Sequence, residues 1–145
     1  MNYDTEQRGK ILNPARKRQL VDYSGLRYCK ITPTDLDGFL EISSRLYIFY
    51  ELKYHNAEFA GGKEKAYLNM IDTLQAALGK DGASALLVCR HETDDPEEEI
   101  DASECIVDKY YYRGKWRPGK GLTARQATDI IIQKVLPERA GQLLS

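Results

Sequence analysis

The run Leu46-Tyr47-Ile48-Phe49-Tyr50-Glu51-Leu52-Lys53-Tyr54 constrains the fold more than any other part of the chain. Aromatic and β-branched residues fall on both faces of an extended segment here, which predicts a central strand buried on both sides. Such a strand needs a layer above it and another below. After the break at Ala60-Gly61-Gly62, the residues Ala66, Tyr67, Met70, Ile71, Leu74, Ala77 and Leu78 recur at helical spacing. They predict a helix over Lys63 to Leu78, closed by Gly79. The apolar run Ala83 to Cys89 then has the length of a strand. Strand, helix and strand in this order favour a parallel crossover.

The flanking segments extend this unit. Residues 1 to 12 read as a loosely ordered arm. Pro14 after Asn13 suits the start of a short helix running to about Val21. Leu26 to Thr32 is expected as a first strand ended by Pro33, and Asp35 to Ile42 as a second, with Ser43-Ser44-Arg45 as the turn into the central run. Beyond an acidic loop, Cys105 to Tyr112 and Lys115 to Arg117 predict a hairpin turning at Arg113-Gly114. An amphipathic helix begins near Leu122 and Thr123, carries Ala127, Ile130, Ile131 and Val135, and stops before Pro137. The expected order is αβββαβββα in a single domain over residues 1 to 145. The class is α/β or α+β: a mixed central β-sheet, flanking helices, and a C-terminal hairpin plus helix.

A chain of 145 residues is long enough for one sizeable core and short for two. No apolar run approaches the roughly 20 residues that span a bilayer, and the first residues lack the apolar stretch of a secretory signal. Cys29, Cys89 and Cys105 are odd in number and widely spaced, which fits reduced, partly buried thiols. A cytoplasmic setting without membrane partners is the expectation. The net charge of -1 conceals uneven distribution. Basic residues dominate Arg8 to Lys30 and Lys109 to Lys120, while acids crowd His91 to Glu104. This polarity could attract a polyanion, although composition alone favours ordinary solvated faces.

The chemistry concentrates where the second and third strands would pair. Side chains alternate along a strand, so Asp35, Asp37, Phe39 and Glu41 share one face, as do Tyr47, Phe49, Glu51 and Lys53. A hairpin centred on Ser43-Ser44 puts Asp37 roughly opposite Tyr50-Glu51. Carboxylates and an ammonium then meet at one sheet edge, a group able to hold Mg²⁺ beside a phosphate. Lys53 would lie by the same water and phosphate, placed to orient the nucleophile or steady the transition state. Glu-x-Lys alone carries little information. Its weight comes from ending an apolar strand, after an acidic strand and before a helix.

Thr34-Asp35-Leu36-Asp37-Gly38-Phe39 followed by Tyr50-Glu51-Leu52-Lys53 resembles the PD-(D/E)XK nuclease superfamily, particularly its small phage-type members. The resemblance covers about residues 14 to 91, and the αβββαβ order matches that superfamily's core. It implies a Mg²⁺-dependent (or Mn²⁺-dependent) deoxyribonuclease that acts on DNA, with a homodimer possible. By position it implies that Asp37 and Glu51 bind the metal, that Leu52 adds its carbonyl, and that Lys53 joins Asp37 and Glu51 as catalytic. Asp35 competes with Asp37 for the metal, because Thr34 separates Pro33 from Asp35. The acid that the family often places on its first helix has no clear counterpart, since only Gln19 and Asp22 are near.

Other residues have two readings. Lys63 and Tyr67 open the long helix, either facing the site or serving as solvated and core residues. His91 ends the fourth strand near the same edge, where a surface role is the simpler account. Tyr110 to Arg117 interleaves rings with cations, which could make a stacking and phosphate surface, but alternation in a hairpin buries half the rings and favours a core with a basic rim. The alternative to a nuclease is a catalytically inactive, nuclease-like module that binds nucleic acid or a partner protein.

Overall fold

The computed structural model describes residues 21–145. The chain divides into two compact units, residues 1–33 and residues 34–145, and each is taken by itself. In the described part of the first unit, a 3-10 turn spans Ser24–Leu26. The expected strand over Leu26 to Thr32 does not form. Cys29 adopts a left-handed backbone with φ 58°, which reverses the chain so that Tyr28 and Ile31 bond each other at 2.8 and 2.9 Å. Every residue from Val21 to Pro33 is exposed, so no buried face rewards extension. The expected arm over residues 1 to 12, and all but the last residue of the expected helix from Pro14, lie outside the described residues.

The second unit is an α/β fold with a five-stranded mixed sheet and three helices. Its strands are β1 (Gly38–Ile42), β2 (Leu46–Tyr54), β3 (Ala83–His91), β4 (Ile106–Tyr112) and β5 (Lys115–Pro118), and they lie side by side in sequence order. β1 and β2 are antiparallel, β2 and β3 parallel, and β3–β4 and β4–β5 antiparallel. Helix α1 (Gly61–Leu78) makes the crossover between the parallel pair; α2 (Ala124–Val135) and α3 (Pro137–Leu143) follow the last hairpin.

Local chemistry sets these boundaries. The β1–β2 turn places Ser43 and Ser44 at φ 58° and 56°, the doubly left-handed form that matches strand twist. The Glu41 carboxylate accepts from the Ser44 N–H at 2.6 Å and holds the turn. Arg113 and Gly114 repeat the same geometry between β4 and β5, at φ 50° and 76°. Helix α2 begins with a capping box: Thr123 accepts from the Gln126 N–H, and Gln126 from the Thr123 N–H. Pro137 opens α3, where a missing N–H costs nothing.

The core has two layers, one on each side of the sheet. Leu46, Ile48, Ala85, Leu87, Cys89 and Val107 pack against Ala127, Ile131 and Val135 of α2. Phe49, Leu86, Val88 and Tyr111 pack with Phe59 and against Tyr67 and Ile71 of α1. The central strands β2 and β3 are thus covered on both faces, as the apolar runs predict. No helix among the described residues is long and apolar enough to cross a membrane.

Candidate functional site

β2 ends as a buried strand that turns charged. Glu51 is 1% exposed and is the one charged side chain among the described residues that is buried. An isolated carboxylate is costly to remove from water, and this one is closely partnered. Its Oε1 lies 3.2 Å from Lys53 Nζ and 2.8 Å from Lys63 Nζ. Its Oε2 accepts from the Tyr67 hydroxyl at 3.2 Å. Lys53 shares the Glu51 face because the two are separated by one residue of strand. Lys63 and Tyr67 are one helical turn apart on α1, so both reach the same carboxylate.

The register of β1 with β2 pairs Gly38 with Tyr50, which brings Asp37 beside Glu51 as the hairpin reading expects. β1 begins at Gly38, three residues later than expected from Asp35, and the two acids explain why. Asp37 Oδ2 accepts the Leu52 N–H at 2.8 Å, replacing the backbone carbonyl that a longer β1 would offer. Asp35 Oδ1 accepts from Lys63 Nζ at 3.2 Å. Both Asp35 and Asp37 thus stand at the Glu51 end of the strand pair. Asp37 sits alongside Glu51, and Asp35 is linked to it through the Lys63 ammonium.

Electrostatics follow this crowding. Partial removal from water raises the Asp37 carboxyl above its ordinary value; the Leu52 N–H opposes the shift and the Glu51 charge adds to it. The hydrogen bond and charge of Lys63 hold Asp35 below its ordinary value. Desolvation pulls the Lys63 ammonium down, but Glu51 and Asp35 together carry it above its ordinary value. Desolvation, reinforced by the neighbouring Glu51 charge, pushes the Tyr67 hydroxyl up, so it stays protonated and donates. The group comprises three carboxylates against two ammoniums, an excess of one negative charge.

The donor types here are those a hard divalent cation accepts. Asp35, Asp37 and Glu51 supply carboxylate oxygens. The Leu52 carbonyl points to the same edge as its N–H, since both groups of a strand residue face one side. Mg²⁺ and Mn²⁺ accept such oxygens and keep several waters. Among the described residues no three His, Cys, Asp or Glu side chains close on a common point. The Lys63 ammonium instead lies between carboxylates of Asp35 and Glu51, where opposite charge is already required.

Other sequence-level candidates are placed elsewhere. His91 pairs with Tyr54 in the β2–β3 register, while Lys53 pairs with Arg90, so His91 faces the side away from Glu51. Its ring lies 5.5 Å from that of Tyr54. Asp22 accepts the Ser24 N–H at 2.9 Å in the first unit, and is a turn residue. A cavity of about 470 Å³ opens on the α2 side, lined by residues including Leu40, Ile42, Tyr50, Ile132 and Leu144. It is apolar and lies across the sheet from the charged group. Lys63 is the site residue that the sequence left open, and its one-turn spacing from Tyr67 was the available signal. No family model, curated protein or solved structure matches the chain, so its function is read from the geometry of this site.

Proposed function

We propose that the chain is a metal-dependent nuclease that hydrolyses DNA phosphodiester bonds at the Asp37, Glu51 and Lys53 group. The observation that carries this reading is Glu51: a carboxylate buried at the end of a central strand, beside Asp37, with two ammoniums on one oxygen. A structural role alone would be served better by an apolar residue at that position. A divalent cation held by Asp37, Glu51 and the Leu52 carbonyl, with Asp35 as a further donor, would polarise the phosphate and make a bound water more acidic. The Tyr67 hydroxyl donates to Glu51 and orients it. Lys53 is placed to orient the attacking water and to offset charge growing on the phosphorus oxygens. Partial desolvation and the Glu51 charge raise the Asp37 carboxyl above its ordinary value, and an added positive charge would oppose that shift.

Cleavage of plasmid and single-stranded oligonucleotides with Mg²⁺ or Mn²⁺, with Glu51→Ala and Lys53→Ala as controls, tests the proposal. The expected result is metal-dependent cleavage abolished by each substitution, with the fold retained. Cleavage that survives both would sink it. A second reading has its own observation. The Lys63 ammonium bridges the Asp35 and Glu51 carboxylates, the place a cation would take in a nuclease, as expected of an inactive module that binds nucleic acid. Salt-sensitive binding with neither cleavage nor metal uptake would favour that reading.

A further inference from the structure

Trp116 is the one tryptophan of the chain, and it shares a face of the sheet with Glu51. Glu51 pairs with Val88 and Val88 with Lys109, while Phe49 pairs with Leu86, Leu86 with Tyr111 and Tyr111 with Trp116. Residues in register point to the same side. A run of rings and cations fills the space between the two. Lys53 Nζ lies 6.0 Å from the centre of the Phe59 ring. The Phe59 and Trp116 rings meet edge to face at 6.5 Å, and Lys109 Nζ sits 4.2 Å over Trp116. Phe59 and Tyr111 are buried, whereas Trp116 and Lys109 are half-exposed. The buried rings brace the indole and leave a rigid plane near the surface, covered by one flexible lysine stem.

Charge points to the occupant. On this face the ammoniums of Lys109 and Lys53 lie against the rings of Trp116 and Phe59, whereas Lys115 and Arg117 alternate to the other face with Tyr112 and Tyr110. A polyanion satisfies that charge, but a duplex hides its base faces and would leave the indole unused. An unpaired base offers a π-face that stacks on such a plane regardless of sequence. The Lys109 ammonium over the ring can then move aside, yielding the face to the base and reaching the adjoining phosphate. We propose that Trp116 is a stacking platform for an unpaired base, with Lys109 contacting its phosphate, so that the strand led to Lys53 and Glu51 is single-stranded nucleic acid. Its approach to Glu51 rests on the nuclease reading; its binding does not.

Because Trp116 is unique, intrinsic fluorescence reports on it directly. The full chain carrying Glu51→Gln, which spares the ligand, is titrated at low salt with oligothymidylate of about 15 nucleotides and with a duplex of equal length. The expected result is quenching by the single strand, at least about tenfold tighter than for the duplex and weakened by salt. By anisotropy of a labelled strand, Trp116→Ala loses at least about tenfold and Trp116→Phe keeps most of the affinity. Lys109→Gln lowers the salt slope by about one, which serves even if Trp116→Ala misfolds. Duplex binding that equals or exceeds single-strand binding, absent quenching, or an unchanged salt slope for Lys109→Gln would each overturn the platform. Cleavage without quenching retires the platform and keeps the nuclease; quenching without cleavage does the reverse.

Discussion

The two faces of β2 come from one stretch of chain and do different work. Leu46, Ile48, Tyr50 and Leu52 look towards α2, where the core is mostly aliphatic and Tyr50 bonds Thr128 at 2.8 Å while Thr128 donates to the Ala124 carbonyl at 2.7 Å. Tyr47, Phe49, Glu51 and Lys53 look towards α1, where rings and charges share the space and Tyr111 donates to Asp72 at 2.8 Å. The first face holds the sheet together. The second spends part of that stability on keeping a carboxylate out of water. A strand buried on both sides can bear that cost because its other side is well packed.

The sharpest way to break this contrast is to exchange function for stability. Glu51→Ala is expected to lower cleavage by about 10²-fold or more while unfolding remains cooperative, as read by parallel cleavage and denaturant titrations. Leu87→Ala, on the opposite face, should cost about 2–5 kcal/mol in the same titration and leave the activity of the folded fraction unchanged. If Leu87→Ala destroyed activity in fully folded protein, the division of labour between the faces would be wrong. Lys63→Met sits between these extremes. Its loss should cost about 1.5–3 kcal/mol, the scale of a hydrogen bond to a charged group, and it should tighten Mg²⁺ binding in calorimetry by removing a competing cation. Looser Mg²⁺ binding would instead make Lys63 part of the metal-holding frame.

The smallest effect is a matter of access. Burial pushes the Cys89 thiol, on the α2 face, up to about 12, and Cys105 is raised by the same cause. A raised value means scarce thiolate at pH 8, so both should resist a disulfide reagent until the protein unfolds. Cys29 is exposed and should react at once. The expected count is one fast thiol and two slow ones; three fast thiols would show that the α2 face opens readily.

Much of this was legible in the residues. The bounds of β2 agree with its apolar run residue for residue, because burial on both faces leaves no ambiguity of period. β3 runs two residues beyond Cys89, since Arg90 and His91 find partners in Lys53 and Tyr54 that composition does not reveal. Leu26 to Thr32 failed for the opposite reason: its β-like composition has no surface to pack on. At the site, Glu51, Lys53 and Asp37 could be read from strand alternation. Lys63 could not be placed, because its role depends on where α1 lies over the sheet, and that is decided by packing of Tyr67 and Ile71.

The carboxylate of Asp37 has one more consequence. β1 is short and stands at the sheet's rim, with Phe39 and Leu36 exposed beside it. Past its end, the Leu52 N–H would be free to recruit a strand from another molecule, the usual first step of edge-to-edge aggregation. Asp37 occupies that donor and sets a negative charge where such a strand would dock. A charge there opposes edge-to-edge pairing, so Asp37→Ala is expected to raise turbidity, to be measured alongside activity.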